Sequence, residues 1–224
     1  ATAGTASKHL KMAGINHIVS TNHSGSHAGY YPGAKQMTIQ IAFSPENGRL
    51  YSAQIAGYDG VDKRIDILAS VIKNKGTIYD LTEFEHAYAP PYSSAKDPVN
   101  MAGFIAENIL TDRLNIFYWN DLGDGDDNSY LLDVRTVKEF EAGHIEGAVN
   151  IPVDEIRNRL NEIPAGKRID IYCEAGLRGY LASRILRQNG FNEVFNLSGG
   201  YVLWNACTRE TALTKPVQQV AATV

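Results

Sequence analysis

The chain has 224 residues, and 21 basic against 25 acidic side chains give a formal net charge of −4. That length suits one or two domains, and a mildly acidic chain without a basic cluster argues against a nucleic-acid partner. No apolar run reaches the roughly 18 residues of a membrane helix, the start ATAGTASKHLKMAG lacks a signal-peptide core, and the two cysteines, Cys173 and Cys207, make no disulfide framework and point to a reducing, cytoplasmic setting.

The first half reads as mixed strand and helix. In KQMTIQIAF, Met37, Ile39, Ile41 and Phe43 alternate with Gln36, Thr38, Gln40 and Ala42, the period of a half-buried strand. Asn47-Gly48 then signals a hairpin, and LYSAQIAGY alternates again with Tyr51, Ala53 and Ile55 on one face. VDKRIDILASVIKNKG carries Val61, Ile65, Leu68, Ala69 and Ile72 at helical spacing, with Gly76 as its expected terminator. YAPPYSSAK is a proline-stiffened loop, and AKDPVNMAGFIAENIL a second helix with Asp97 as cap and Pro98 in its first turn. His23 and His27 lack a third ligand and suggest no metal, while Lys63, Arg64 and Lys96 read as solvated surface.

After about residue 111 the rhythm changes. NIFYW, YLLDV, AVNIP, IDIYC and EVFNL read as short apolar strands, with TVKEFEAG, VDEIRNRLNEI and LASRILRQNG as helices between them. Strand–helix alternation of this kind predicts a parallel sheet covered on both faces. DLGDGDDNS is a polar loop, and the tail has no period that would order it.

The segment CEAGLRG, residues 173–179, places a cysteine where a strand ends and a helix opens. A helix N-terminus carries partial positive charge and unpaired N–H groups, both of which favour a thiolate. Gly176 and Gly179 permit a tight curl, and Arg178 can set a positive charge at the rim. Three readings stand open: a buried small hydrophobe, a phosphatase-type nucleophile, and a sulfur carrier. A phosphatase loop needs one residue more between cysteine and arginine than the four present, Glu174, Ala175, Gly176 and Leu177, and Glu174 opposes a phosphate dianion. The small ring suits a single sulfur atom, held by a ring of loop amides.

LLDVRTVKEFEAGHIEGAVNIP, IYCEAGLRGYLASRILRQNGF and VFNLSGGYVLW together resemble a rhodanese domain. The resemblance implies a five-stranded parallel α/β sheet with helices on both faces, and a persulfide carried on Cys173 with Arg178 beside it. It implies that Asp133, Arg135 and His144 support the loop. HAGYYPGAKQMTIQIAF, GVDKRIDILA and DLTEFEHAYAPPYSSAKDPVNMAGFIAENIL are similar to the dimerisation domain of pyridine nucleotide-disulfide oxidoreductases, above all coenzyme A disulfide reductases and NADH-dependent persulfide or polysulfide reductases. That implies an α+β domain, an antiparallel sheet with helices, at residues 1–111, the rhodanese domain at 112–208, and a loosely ordered tail at 209–224.

In such enzymes a flavoprotein half precedes this region, so FAD, NADH and coenzyme A are implied for an intact protein and none of them for this chain, which has no G-x-G-x-x-G run after a strand. The implied partners are a second copy in a homodimer, a sulfane-sulfur donor and a small thiol acceptor such as coenzyme A. Tyr30 and Tyr88 match the surface that reaches the partner's substrate site. Cys207 reads as incidental. The alternative from another class is a non-catalytic dimerisation and partner-binding module with a rhodanese-like fold.

Overall fold

The computed structural model describes residues 1–122 and 129–214. The first half comprises β1 (Thr2–Gly4), α1 (Ser7–Met12), β2 (Ile18–Gly25), β3 (Gln36–Phe43), β4 (Leu50–Gly57), α2 (Val61–Lys73), α3 (Ile78–Glu83) and α4 (Pro98–Leu110). The second comprises β5 (Asn115–Phe117), β6 (Ser129–Asp133), α5 (Val137–Ala142), β7 (Val149–Asn150), β8 (Arg168–Tyr172), α6 (Leu177–Gln188), β9 (Val194–Leu197) and α7 (Gly200–Thr214).

The first sheet is antiparallel in the order β1-β4-β3-β2. Its register sets Ile39 opposite Ile55 and Ile41 opposite Ala53, so the alternation read in the sequence becomes one continuous apolar face. Leu68 of α2, Ile78 and Leu81 of α3, and Ala102 and Ala106 of α4 pack on that face. Asp97 caps α4 by accepting from the Val99 N–H at 3.0 Å, with Pro98 following it. α2 ends differently from expectation. Lys75, at φ 59°, takes the left-handed position, and the Gly76 N–H closes back on the Val71 carbonyl at 2.9 Å. Gly76 is required for space instead, because a Cβ there would stand 2.7 Å from Val71 Cγ1.

Arg64 also departs from its sequence reading as solvated surface. It is 1% exposed, and its guanidinium meets Asp97 at 2.8 Å and the Ser26 carbonyl at 2.8 Å. The pair ties α2, the start of α4 and the loop after β2 into one buried polar knot.

The second sheet is parallel, in the order β5-β9-β8-β6-β7. Alternation along its strands builds a core on each face. Ile169, Ile171 and Cys173 join Leu132, Val194 and the apolar side of α6. Tyr172 and Leu197 face the other way, toward Tyr201 and Trp204 of α7. VDEIRNRLNEI forms two 3-10 turns, Ile156–Asn158 and Leu160–Glu162, where an α-helix was expected. Their i→i+3 bonds stretch the segment relative to an α-helix, and Ile156, Leu160 and Ile163 all reach the sheet. α7 continues to Thr214, into the tail expected to be loosely ordered. The rest of that tail, and most of the polar loop DLGDGDDNS, lies outside the described residues.

The halves meet where β2 runs beside the turn after β9. The Thr21 N–H donates to Ser198 Oγ at 3.1 Å, and His23 Nε2 donates to the Gly199 carbonyl at 2.9 Å while its Nδ1 accepts from the Thr38 hydroxyl. Burial holds His23 below the ordinary histidine range, which suits this neutral, doubly bonded ring. Among the described residues, no helix is long and apolar enough to cross a membrane.

Candidate functional site

Cys173 follows β8 on the face that carries Ile169 and Ile171, and it is 2% exposed. The chain then turns through Glu174, Ala175 and Gly176 into α6. Gly176 has φ 119°, a region that side-chain-bearing residues rarely adopt. This turn aims the Gly176 N–H at Cys173 Sγ, 3.1 Å away. α6 begins at the next residue without a side-chain cap, so its positive end lies beside the sulfur. Of the expected ring of loop amides, the Gly176 N–H is the one seen to meet the sulfur among the described residues, backed by a helix terminus.

A second pair of glycines completes the loop. The carbonyls of Cys173 and Glu174 accept from the N–H groups of Tyr201 and Val202, at 2.8 and 3.1 Å. Gly200, at φ 56°, lies so close that a Cβ would stand 2.7 and 2.6 Å from those two oxygens. The segment LSGGY is therefore the clasp that fixes the cysteine loop from the far side. Gly179 has a like reason: a Cβ there would meet the Asn196 side chain, whose Nδ2 donates to the Gly176 carbonyl at 3.1 Å.

Asp133 and Arg135 form a buried bidentate pair, with 2.7 Å from Nη2 to Oδ2. Arg135 Nη1 reaches Glu174 Oε2 at 3.3 Å, and Nη2 also donates to the Gly143 carbonyl at 2.7 Å. Its guanidinium lies 4.1 Å from the centre of the Tyr201 ring. Burial opposes the charge, but Asp133 more than offsets this and holds Arg135 above the ordinary arginine range. The residue after the cysteine is thus acidic because a buried arginine is there to receive it.

Arg178, expected to set a positive charge at the loop rim, has an acidic partner there. Its two terminal nitrogens hold Glu139 at 2.7 and 2.6 Å. Glu139 is the third residue of α5 and also accepts from the Thr136 hydroxyl, at 2.6 Å, in a capping box. The Arg178 bond, joined by those from Thr136, pulls the Glu139 carboxyl down to about 2. A carboxyl so depressed contributes its stability above its ordinary value of 4.5 and loses it as pH falls through about 2, since the unfolded chain takes up the proton first. Urea unfolding of wild type and Glu139→Gln is expected to show a stability gap that is constant above about pH 5.5 and more than half closed at about pH 3. A gap that stays level across that range would show that the ion pair contributes nothing.

The remaining sequence candidates scatter. His144 is exposed, stacks on Phe140 with ring centres 3.9 Å apart, and bonds the Phe140 carbonyl. Cys207 lies half-buried on α7. His23 and His27 bond different carbonyls, of Gly199 and Ala28. Tyr30 and Tyr88, by contrast, are 58 positions apart in sequence and share a 2.8 Å hydroxyl–hydroxyl bond on the surface of the first half. That bond to Tyr30 raises the Tyr88 phenol above its ordinary range. Glu139 is the site residue that sequence reasoning passed over; its capping-box spacing after Thr136 was visible, but its partner sits 39 positions away.

Comparison with known proteins agrees with this geometry. Residues 118–207 match the family model of the rhodanese-like domain. Coenzyme A disulfide reductase of Staphylococcus haemolyticus is 49% identical over 87 residues, which are 39% of this chain and 20% of that protein. The crystal structure of reduced Bacillus anthracis CoADR-RHD superposes with a TM-score of 0.89 at 44% identity, covering 93% of this chain and 38% of that one. An NAD-dependent persulfide reductase from A. fulgidus gives a TM-score of 0.81 at 35% identity, covering 91% and 36%. The chain therefore spans about a fifth of the length of the curated relative and under two-fifths of the two solved chains. Residues 118–207 are a rhodanese-like domain, and the chain as a whole resembles a part of coenzyme A disulfide and persulfide reductases.

Proposed function

We propose that Cys173 carries sulfane sulfur as a persulfide. The observation behind this reading is the Gly176 N–H directed at Sγ, with the N-terminus of α6 behind it. The Cys173 thiolate attacks the outer sulfur of a donor R–S–SH. A bond forms from Sγ to that sulfur, the donor's S–S bond breaks, and its electron pair leaves on R–S⁻, which takes a proton from solvent. Transfer onward reverses these events at a thiol acceptor such as coenzyme A, and neither step changes the net oxidation state. The charges near the loop favour donors less negative than thiosulfate: Arg135 and Arg178 face Asp133, Glu139 and Glu174.

In a longer reductase the persulfide would be handed to a flavin site served by FAD and NADH. The turn that opens α6 reads C-E-A-G-L, and no G-x-G-x-x-G run follows a strand among the described residues, so such a site would be supplied from outside them. Tyr30 and Tyr88 would face such a site across a homodimer, their exposed phenols able to donate to sulfur. A reducing cytoplasm would keep Cys173 available as a thiol.

One observation favours the non-catalytic alternative, the near-complete burial of Cys173 among aliphatic side chains. Mass spectrometry after treatment with polysulfide separates the two. Wild type is expected to gain one sulfur atom that dithiothreitol removes, and Cys173→Ser to gain none. Equal gain in both, or none in either, would sink the carrier role.

A further inference from the structure

Tyr201 and Val202 stand in the first turn of α7, where a helix has no carbonyl of its own for its N–H groups. Those two N–H groups reach out of the helix to the carbonyls of Cys173 and Glu174, at 2.8 and 3.1 Å. The residue before α7, Gly199, is held from the other side. Its carbonyl accepts from the Leu203 N–H, closing the first turn at 3.2 Å, and from His23 Nε2 of β2 at 2.9 Å. A carbonyl only accepts, so Nε2 carries the proton of the ring, and Nδ1 is the acceptor for the Thr38 hydroxyl, 2.9 Å away on β3. Gly199 has φ 77°, and a Cβ there would stand 3.2 Å from Thr21 Cγ2 and 2.7 Å from Leu203 Cδ2. β2 therefore lies directly against the turn, and the turn directly against the cysteine loop.

We propose that His23, a residue of the first half, is a positioning residue for Cys173. Through Gly199 it sets the N-terminus of α7, whose Tyr201 and Val202 N–H groups set the carbonyls from which the Cys173–Gly176 turn hangs. This rests on the carrier reading of Cys173 and adds the first half to the geometry of the sulfur site. A shift of the Glu174 carbonyl passes through Ala175 into the Gly176 N–H, which meets Sγ at 3.1 Å, and such a bond weakens steeply once misaligned. Tyr201 moves with the same turn, and its ring lies 4.1 Å from the Arg135 guanidinium that holds Glu174. Loss of the His23 donor therefore loosens the cysteine loop by two routes, one through the backbone and one through side chains.

The test is amide hydrogen exchange by nuclear magnetic resonance on the full chain, read at Tyr201 and Val202, beside the rate of polysulfide loading read by mass. His23→Leu, which keeps volume and loses the donor, is expected to speed exchange at both amides about three- to ten-fold, the scale of one hydrogen bond, and to slow loading by a similar factor. His23→Gln, whose amide N–H can reach the same carbonyl, should recover most of both. Tyr118→Phe is the control. It removes another bond between the halves, from the Val19 N–H to the Tyr118 hydroxyl at 3.2 Å, which does not pass through Gly199, and it should leave exchange and loading at their wild-type values. Exchange indifferent to His23→Leu, unrestored by His23→Gln, or raised equally by Tyr118→Phe overturns the positioning role whatever Cys173 does. Faster exchange in His23→Leu with loading unchanged overturns it as well. Failure of wild type to load sulfur, with the exchange response intact, overturns the carrier reading and leaves His23 tied to the geometry of the loop.

Discussion

Asp97→Ala is expected to destabilise the first half by about 3–5 kcal/mol, the cost of leaving one member of a buried ion pair without its partner. Asp97 is fully buried and Arg64 is 1% exposed, with 2.8 Å between them. The guanidinium also donates to the carbonyls of Ser26 and Gly60, but those are dipoles and do not replace a charge. The same carboxylate accepts from Ser93 Oγ at 2.6 Å and caps α4. Asp97→Asn keeps a competent cap and removes the charge, so it should fall between wild type and the alanine variant. Urea unfolding followed by circular dichroism and by tyrosine fluorescence is the measurement, and a loss under about 1 kcal/mol for Asp97→Ala would refute the claim that this pair holds the domain. The site feels the same change. Ser93 Oγ is held by Asp97, and the Ser93 carbonyl accepts from the Ala28 N–H at 3.0 Å, joining the loops that carry Tyr30 and Tyr88. Loss of Asp97 should separate those two phenols as well as lower stability.

Much of this architecture was legible because it follows simple periods. The alternation of Met37, Ile39, Ile41 and Phe43 became β3, and Asp97-Pro98 became the start of α4. Cys173 was found because strand, cysteine, glycine and helix stand in order, and they do so in space. The misses share a cause: they are set by partners distant in sequence. β2 carries Ser20, Thr21, Asn22, His23 and Ser24, with no apolar face, because one of its sides is covered by the polar turn Ser198–Gly199 of the second half. Arg64 looks like surface on α2 until Asp97 arrives from α4. Arg178 looks free until Glu139 arrives from α5, and LSGGY looks like a turn until Gly200 is seen against the carbonyls of Cys173 and Glu174. Short helices such as α3 had a local sign, Thr77 three places before Asp80, whose carboxylate accepts the Thr77 N–H at 2.6 Å, but too little length for a period.

Arg135→Leu is the substitution expected to couple stability and chemistry most directly. It leaves Asp133 buried with no counter-charge, a loss again of about 3–5 kcal/mol, and it frees the Glu174 carboxylate beside Cys173. Arg135→Lys keeps a charge but not the planar fork that holds Asp133, Glu174 and the Gly143 carbonyl together, so it should recover only part of the loss. A structural role alone predicts that every reagent reaching Cys173 responds alike. If Arg135 also offsets the charge of Glu174, the variants should discriminate against anions: alkylation by iodoacetate should slow relative to neutral iodoacetamide, by about three- to ten-fold in Arg135→Leu, the scale of one partly screened charge. Adding Glu174→Gln should restore the ratio without restoring stability, while Asp133→Asn should do the reverse, because each removes a different uncompensated carboxylate. Should the iodoacetate-to-iodoacetamide ratio hold at its wild-type value in Arg135→Leu, Arg135 would be a brace for the loop and no part of its electrostatics.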